Sequence, residues 1–337
     1  MSGPGYVATV SVVVPVYMGE ETLPRLIADI APLATPSRTP GGIPFVVSEV
    51  LLVHDCGPDR SAQVIQAAAD EHDWVRPVWL SRNFGQHPAT LAGMSSSVAD
   101  WIVTIDEDGQ HDPRDIATLL DVAVAQGAQL VYGRPAEGAP HAWWRNATST
   151  AAKWVYTHLL APGEGESFGS FRLMLGELGR SVGAYAGSGV YLDVALTWVV
   201  DRTATVEVEP RTEFRESSGY PLRRLLSHFL RLMLSSGTRP LRLVSMFGLA
   251  SVVLGLIYSA FLVYDRAANG AVVQGWTTVV LLIVVIGGIV LFSLGILAEY
   301  LGIVVRNAIG RPLYLIRSSP LDDAVVQARR GAEDPPA

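Results

Sequence analysis

Two charge-free stretches near the C-terminus constrain this chain more than anything else in it. Leu243–Tyr264 runs for 22 residues and Ala267–Ala298 for 32 without an Asp, Glu, Lys or Arg. Each exceeds the ~20 residues needed to cross a bilayer core. A buried core helix of that length would not lack charge altogether, so both stretches read as transmembrane helices. Composition points the same way: the hydrophobic fraction is 49% and the charged fraction 17%, a balance that leans toward membrane proteins.

The arginines orient these spans. Arg242 precedes the first, Arg306, Arg311 and Arg317 follow the second, and the connecting segment Asp265–Gly275 has only Arg266. By the positive-inside rule the N-terminal part and the C-terminus are cytoplasmic. Pro221–Leu241 interleaves Arg223, Arg224, Arg231 and Arg239 with leucines and Phe229. It reads as an amphipathic helix lying in the membrane interface. Ser251, Gly255 and Ser259 recur every four residues, and Gly287, Gly288 and Gly295 stripe the second span. Such stripes allow close helix packing, between the spans or between subunits of a homo-oligomer. The expected domains are 1–215, a globular unit; 216–241, the interface segment; 242–305, two spans; and 306–337, a cytoplasmic tail.

Before residue 215 the pattern changes. Thr9–Val14, Phe45–Val53, Val75–Leu80, Trp101–Ile105 and Leu130–Tyr132 are β-rich runs. Helical candidates at Thr22–Leu33, Ser61–Glu71, His87–Ser97 and Asp115–Ala125 separate them. This alternation predicts an α/β layer on a mostly parallel sheet. In such sheets ligands bind beyond the carboxyl ends of the strands. The turns at Pro15-Val16-Tyr17, at His54-Asp55-Cys56-Gly57 and at Asp106 all fall at such ends.

The last of these turns, Asp106-Glu107-Asp108-Gly109-Gln110-His111, carries the clearest chemistry. Two carboxylates two positions apart can approach one hard cation, Mg²⁺ or Mn²⁺, shared with substrate phosphates. An isolated pair of this kind more often just caps a strand. His111 reads as a surface polar residue rather than a metal neighbour, and His54 as part of a nucleoside pocket. The formal charge of −7 argues against a nucleic-acid partner. Cys56 is the only cysteine, which excludes an intrachain disulfide and a zinc cluster.

With these parts placed, the chain resembles the family 2 glycosyltransferases, and within them the polyisoprenyl-phosphate glycosyltransferases. The resemblance rests on Ser11-Val12-Val13-Val14-Pro15-Val16-Tyr17, Leu80-Ser81-Arg82-Asn83-Phe84-Gly85-Gln86 and Asp106-Glu107-Asp108-Gly109-Gln110. It continues through Phe171-Arg172-Leu173-Met174, Tyr220-Pro221-Leu222-Arg223, Gly295–Gly302 and Arg311-Pro312-Leu313-Tyr314. The resemblance implies a GT-A fold, a nucleotide-sugar donor and a polyprenyl phosphate acceptor at the cytoplasmic face of a bacterial membrane. It implies that Pro15, Tyr17 and Asp55 line the nucleoside pocket and that Asp106 and Asp108 hold the metal on the diphosphate. Gln110 would brace that turn. Arg134, Arg145 and Ser149 would cradle the acceptor phosphate, and Arg215 would approach the donor diphosphate. Asp108 and Arg134 would be the residues on which catalysis turns.

Three positions depart from the family pattern: His54 where a second Asp is common, Ser170 where many relatives carry the usual candidate base, and Gly219 where a Lys is common. The implied reaction is inverting, metal-dependent sugar transfer. The alternatives are a catalytically silent membrane scaffold or a glycosyltransferase with another lipid or glycan acceptor. Retention of Asp106, Asp108, Arg134 and Arg172 weighs against the silent scaffold.

Overall fold

The computed structural model describes residues 5–135, 169–186, 191–209, 211, scattered helical positions between 248 and 264, 275–309 and 312–322. The chain divides into two compact units. One comprises residues 1–148, 164–221 and 312–337, the other residues 149–163 and 222–311.

The first unit is built on a nine-stranded sheet. Its strands are β1 (Ala8–Val16), β2 (Ser37–Arg38), β3 (Pro44–His54), β4 (Val75–Leu80), β5 (Trp101–Thr104), β6 (Leu130–Pro135), β7 (Arg172–Leu175), β8 (Thr203–Val208) and β9 (Ile316–Arg317). They lie in the order β8-β6-β7-β5-β1-β3-β4-β9, with β2 paired to β3. β1 runs parallel to β3 and β5, β3 to β4, and β6 to β8. β7 is antiparallel to both its neighbours, as are β2 and β9 to theirs. The expected α/β layer is present, but the sheet is mixed rather than mostly parallel: four of its strand pairings are parallel and four antiparallel.

Helices α1 (Leu23–Ile30), α2 (Ser61–Glu71) and α4 (Asp115–Gln126) pack on one face of the sheet. On the other lie α3 (Gln86–Ser96), α5 (Gly176–Tyr185) and α6 (Leu192–Val199). Strand alternation divides the core between them. Val12, Val14 and Leu52 join the first cluster, while Val13, Leu51 and Val53 join the second. Central parallel strands covered on both faces need side chains that are apolar in both directions, which is why β1 and β3 are near-continuous Val and Leu runs.

This order also decides where a ligand can bind. From β1 the chain moves outward to β3 and β4, then returns to place β5 on the opposite side of β1. The crevice at such a reversal is the binding site of doubly wound sheets. Pro15 is tolerated in a central strand because β5 has already ended there, its register with β1 closing at Val13 opposite Thr104.

In the second unit the described residues comprise scattered helical positions between 248 and 264 and one long helix, α7 (Trp276–Ala308), of 33 residues. Side chains at several of its positions lie outside the described set. Among the described residues no helix is long and apolar enough to cross a membrane. The interface segment 216–241 lies outside the described residues.

Candidate active site

The ends of β1 and β3, the acidic turn after β5 and the loop from β4 into α3 surround a cavity of about 420 Å³. Its lining comprises Pro15, Val16, Tyr17, Asp55, Asn83, Gly85, Gln86, Ala89, Asp106, Glu107 and Asp108. All three strand-end turns that the sequence pattern points to therefore meet in one site.

Backbone hydrogen bonds to carboxylates hold the walls in place. The N–H groups of Phe84 and Gly85 donate to the two oxygens of Asp55, at 2.7 and 2.8 Å. Burial pushes the Asp55 carboxyl above its ordinary range, and those N–H groups and Arg82 oppose the shift. Glu107 accepts from the N–H groups of Tyr17 and Met18 at 3.0 and 3.1 Å, which ties the end of β1 to the acidic turn. Asp59 accepts from Ser61 Oγ at 2.6 Å, and Ser61 Oγ accepts from the Gly19 N–H at 2.8 Å. Gly57 must be glycine: a Cβ there would lie 1.5 Å from the Tyr17 carbonyl oxygen. The two strand-end turns approach too closely for any side chain.

Asp106 and Asp108 share the same cavity wall. Asp106 accepts from Gln86 Nε2 at 2.7 Å, while Gln110 donates to Asp108 through both its N–H (3.1 Å) and Nε2 (2.8 Å). Gln110 is thus tied to Asp108 within the turn. Burial raises the Asp108 carboxyl, and the nearby Asp106 charge adds to the shift. Burial and the charges of Asp59 and Asp106 likewise raise Glu107 against its backbone partners. The wall is a concentration of partly desolvated negative charge, which a cation would relieve. Among the described residues no group of three or more His, Cys, Asp or Glu is arranged to hold a metal ion. Two hard carboxylates with the rest of the shell left to phosphate oxygens and water fit Mg²⁺ or Mn²⁺.

Behind this wall lies a network that the sequence did not reveal. Arg172 on β7 is buried and donates through Nε to Thr104 Oγ1 at 3.0 Å, and through Nη1 to Asp193 on α6. Tyr132 OH on β6 donates to the same Asp193 oxygen at 3.0 Å. Burial works against the Arg172 charge, but Asp193 above all, with Tyr132 and Asp106, keeps it protonated. The cation lies within the field of the acidic turn and ties β5, β6, β7 and α6 together beneath it. Gln86 and Glu107 also line the cavity, two positions that the motifs contained without marking a role for them.

Of the other expected site residues, Arg134 lies at the end of β6, half-buried and in register opposite Glu207 of β8. It does not line the cavity. Arg145, Ser149 and Arg215 lie outside the described residues. His54 corrects an expectation. Instead of joining the nucleoside pocket, it is 5% exposed and absent from the cavity lining. Its ring meets Trp79 edge-on at 5.5 Å between centroids. His111 is half-buried rather than a surface residue, its ring stacked on Phe171 at 5.1 Å. Ser170 accepts a hydrogen bond from Thr104 Oγ1 through its main-chain carbonyl at 2.5 Å.

Comparison with known proteins agrees with this geometry. Residues 11–179 match glycosyl transferase family 2, and residues 239–304 match the GtrB C-terminal hairpin. The bactoprenol glucosyl transferase of Shigella phage SfX is 28% identical over 312 residues, covering 92% of this chain and 99% of that protein. The undecaprenyl-phosphate 4-deoxy-4-formamido-L-arabinose transferase of Pseudomonas aeruginosa (strain LESB58) is 32% identical over 314 residues, covering 91% of this chain and 89% of its own length. The chain belongs to glycosyl transferase family 2, and it is a glycosyltransferase.

Proposed function

We propose that this enzyme transfers a sugar, with inversion, from a nucleoside-diphosphate donor to a polyprenyl phosphate at the cytoplasmic face of a bacterial membrane. The observation that carries the reading is the crevice at the strand reversal, where Asp55 and the Asp106–Asp108 pair line one cavity. Asp55, with Pro15 and Tyr17, would receive the nucleoside. Asp106 and Asp108, with the donor diphosphate, would hold Mg²⁺ or Mn²⁺, which supplies positive charge for the departing nucleoside diphosphate. Relatives named for bactoprenol and undecaprenyl phosphate support the acceptor class.

The acceptor explains why Ser170 can stand where a base is common. A phosphomonoester has its second pKa near 6 and is largely dianionic at neutral pH. Its oxygen needs alignment with the anomeric carbon rather than deprotonation. Arg134, Arg145 and Ser149 would provide that alignment, because arginine's planar fork binds phosphate at two points. Arg215 would meet the donor diphosphate.

Membrane residence is supported by the charge-free runs 243–264 and 267–298 and by the hairpin match. Ile283, Leu291, Phe292 and Leu301 on α7 are each more than 60% exposed, apolar surface that suits lipid.

The test is direct. Full-length protein incubated with a polyprenyl phosphate and a panel of UDP- and GDP-sugars should give a lipid heavier by one sugar. Excess EDTA and Asp108→Ala should each abolish that product while the protein stays folded. Full turnover in EDTA removes the metal assignment, and no lipid product with any donor removes the proposal.

A further inference from the structure

The chain leaves α7 at Ala308 and by Pro312 is again part of the sheet-bearing unit. There β9 pairs antiparallel with the end of β4, Arg317 opposite Trp79 and Ile316 opposite Leu80. The ladder extends one step further, the Ser81 N–H donating to the Leu315 carbonyl at 2.9 Å. Tyr314 OH donates to Ser95 Oγ at 3.0 Å. Leu313 and Tyr314 pack on the apolar cluster that contains Leu80, Leu91 and Met94.

These contacts fall at the two ends of one stretch. Ser81 opens the loop between β4 and α3, and Ser95 stands in the last turn of α3. Between them lie the groups that build one wall of the cavity. Phe84 and Gly85 hold both oxygens of Asp55, Gln86 holds Asp106, and Ala89 closes the lining. Gly85 has φ +96° with nothing near its missing Cβ, so the loop takes little support from packing at that point. Bonds to Asp55 and Asp106 and the packing of Phe84 hold its middle, and the contacts of Leu315 and Tyr314 hold its ends.

We propose that Leu313–Arg317 is a positioning strap for the donor pocket, with Tyr314 as its principal residue. It clamps Ser81 and Ser95 so that Phe84, Gly85 and Gln86 present Asp55 and Asp106 in the arrangement that a nucleoside diphosphate requires. The inference rests on the donor-site reading above. It adds that residues far down the chain, beyond the charge-free runs, set donor affinity without touching the donor.

The experiment compares full-length wild type, Tyr314→Phe and the double variant Leu313→Ala/Tyr314→Ala. Amide hydrogen exchange is read by peptide, and binding of UDP and of GDP is titrated in the presence of Mn²⁺. The double variant should exchange faster over residues 81–86, with β5 unchanged, and bind the nucleotide about tenfold more weakly. Tyr314→Phe loses one hydroxyl and should fall between, which keeps the test readable if the double variant does not fold. Faster exchange at 312–317 with residues 81–86 and nucleotide affinity unchanged overturns the strap. If the wild type binds neither nucleotide, the donor-site reading fails, and the exchange at 81–86 still decides whether the strap holds the loop.

Discussion

Arg172 and Asp193 are 3% and 2% exposed, and neither has another full charge of opposite sign in contact among the described residues. Removing one member of such a pair strands the other in a medium that cannot solvate it, at a cost of about 3–5 kcal/mol. Arg172→Met should therefore destabilise the protein by about that much. Arg172→Met/Asp193→Leu should recover most of the loss, because two apolar side chains can fill the same space. Denaturant melts of both variants check this, and a double variant no more stable than the single one would show that the pair does not act alone. His54 gives a pH prediction. Burial holds its ring below the ordinary histidine value, with Asp59 opposing, and both ring nitrogens are buried without a hydrogen-bond partner among the described residues. A depressed folded pKa makes stability greatest above the unfolded value near 6.5 and removes it as pH falls through the folded value. Wild type should thus lose stability as pH drops below about 6.5, by more than His54→Leu does. Parallel stability–pH curves for the two proteins would refute it. At this scale legibility was uneven. Asp106 and Asp108 announce themselves by spacing at a strand end. Asp193 does not, because its partner is 21 residues away on another element and nothing local marks it as buried.

Elements were easier to read than their neighbours in space. Val75–Leu80 and Ser61–Glu71 coincide with β4 and α2, and the other strands and helices expected before residue 215 lie within three residues of their observed ends, whereas the charge-free run 267–298 is displaced by nine and ten residues from α7. Apolar runs and helical periodicity are local signals, and they survive in the fold. β7 was missed because Arg172–Leu175 is only four residues long, contains a charge, and becomes a strand by filling the gap between β5 and β6. β9 is two residues long and owes its conformation to the edge of β4. Both are made by tertiary pairing, which no single segment encodes. The turn after β3 shows the opposite case, in which one glycine carries a constraint between elements. Gly57→Ala would drive a methyl into the Tyr17 carbonyl, and overpacking of this kind typically costs about 1–3 kcal/mol. The expected outcome is a destabilised protein with weakened nucleotide binding, since the ends of β1 and β3 must separate. Gly169→Ala is the comparison: its Cβ would find only the Gly133 oxygen, at 3.8 Å, so stability should stay near wild type. Equal melting curves for Gly57→Ala and wild type would mean that the turn can relax at no cost.

For the whole molecule, the chemistry proposed for the crevice requires it to lie on the side of the membrane where nucleotide sugars are made. The distribution of arginines argues for that side. Arg242 before the first charge-free run and Arg306, Arg311 and Arg317 after the second outnumber the lone Arg266 between them. On the proposed topology both termini would lie on the side of the α/β unit, and β9 is in keeping with it, since residues 316 and 317 pair in the sheet that bears the crevice. A chain whose post-hairpin segment pairs with β4 cannot have that segment and the sheet on opposite sides of a bilayer. Cysteine labelling tests the arrangement cleanly, because Cys56 is the only cysteine and Cys56→Ser gives a background with none. In that background Asn269→Cys should react with a membrane-impermeant maleimide in intact spheroplasts. Ser318→Cys, exposed beside β9, should react only after the membrane is permeabilised. The reverse pattern would overturn the orientation and remove the crevice from its donor. Labelling of both positions in sealed spheroplasts would exclude the hairpin, since residues 269 and 318 would then share one face.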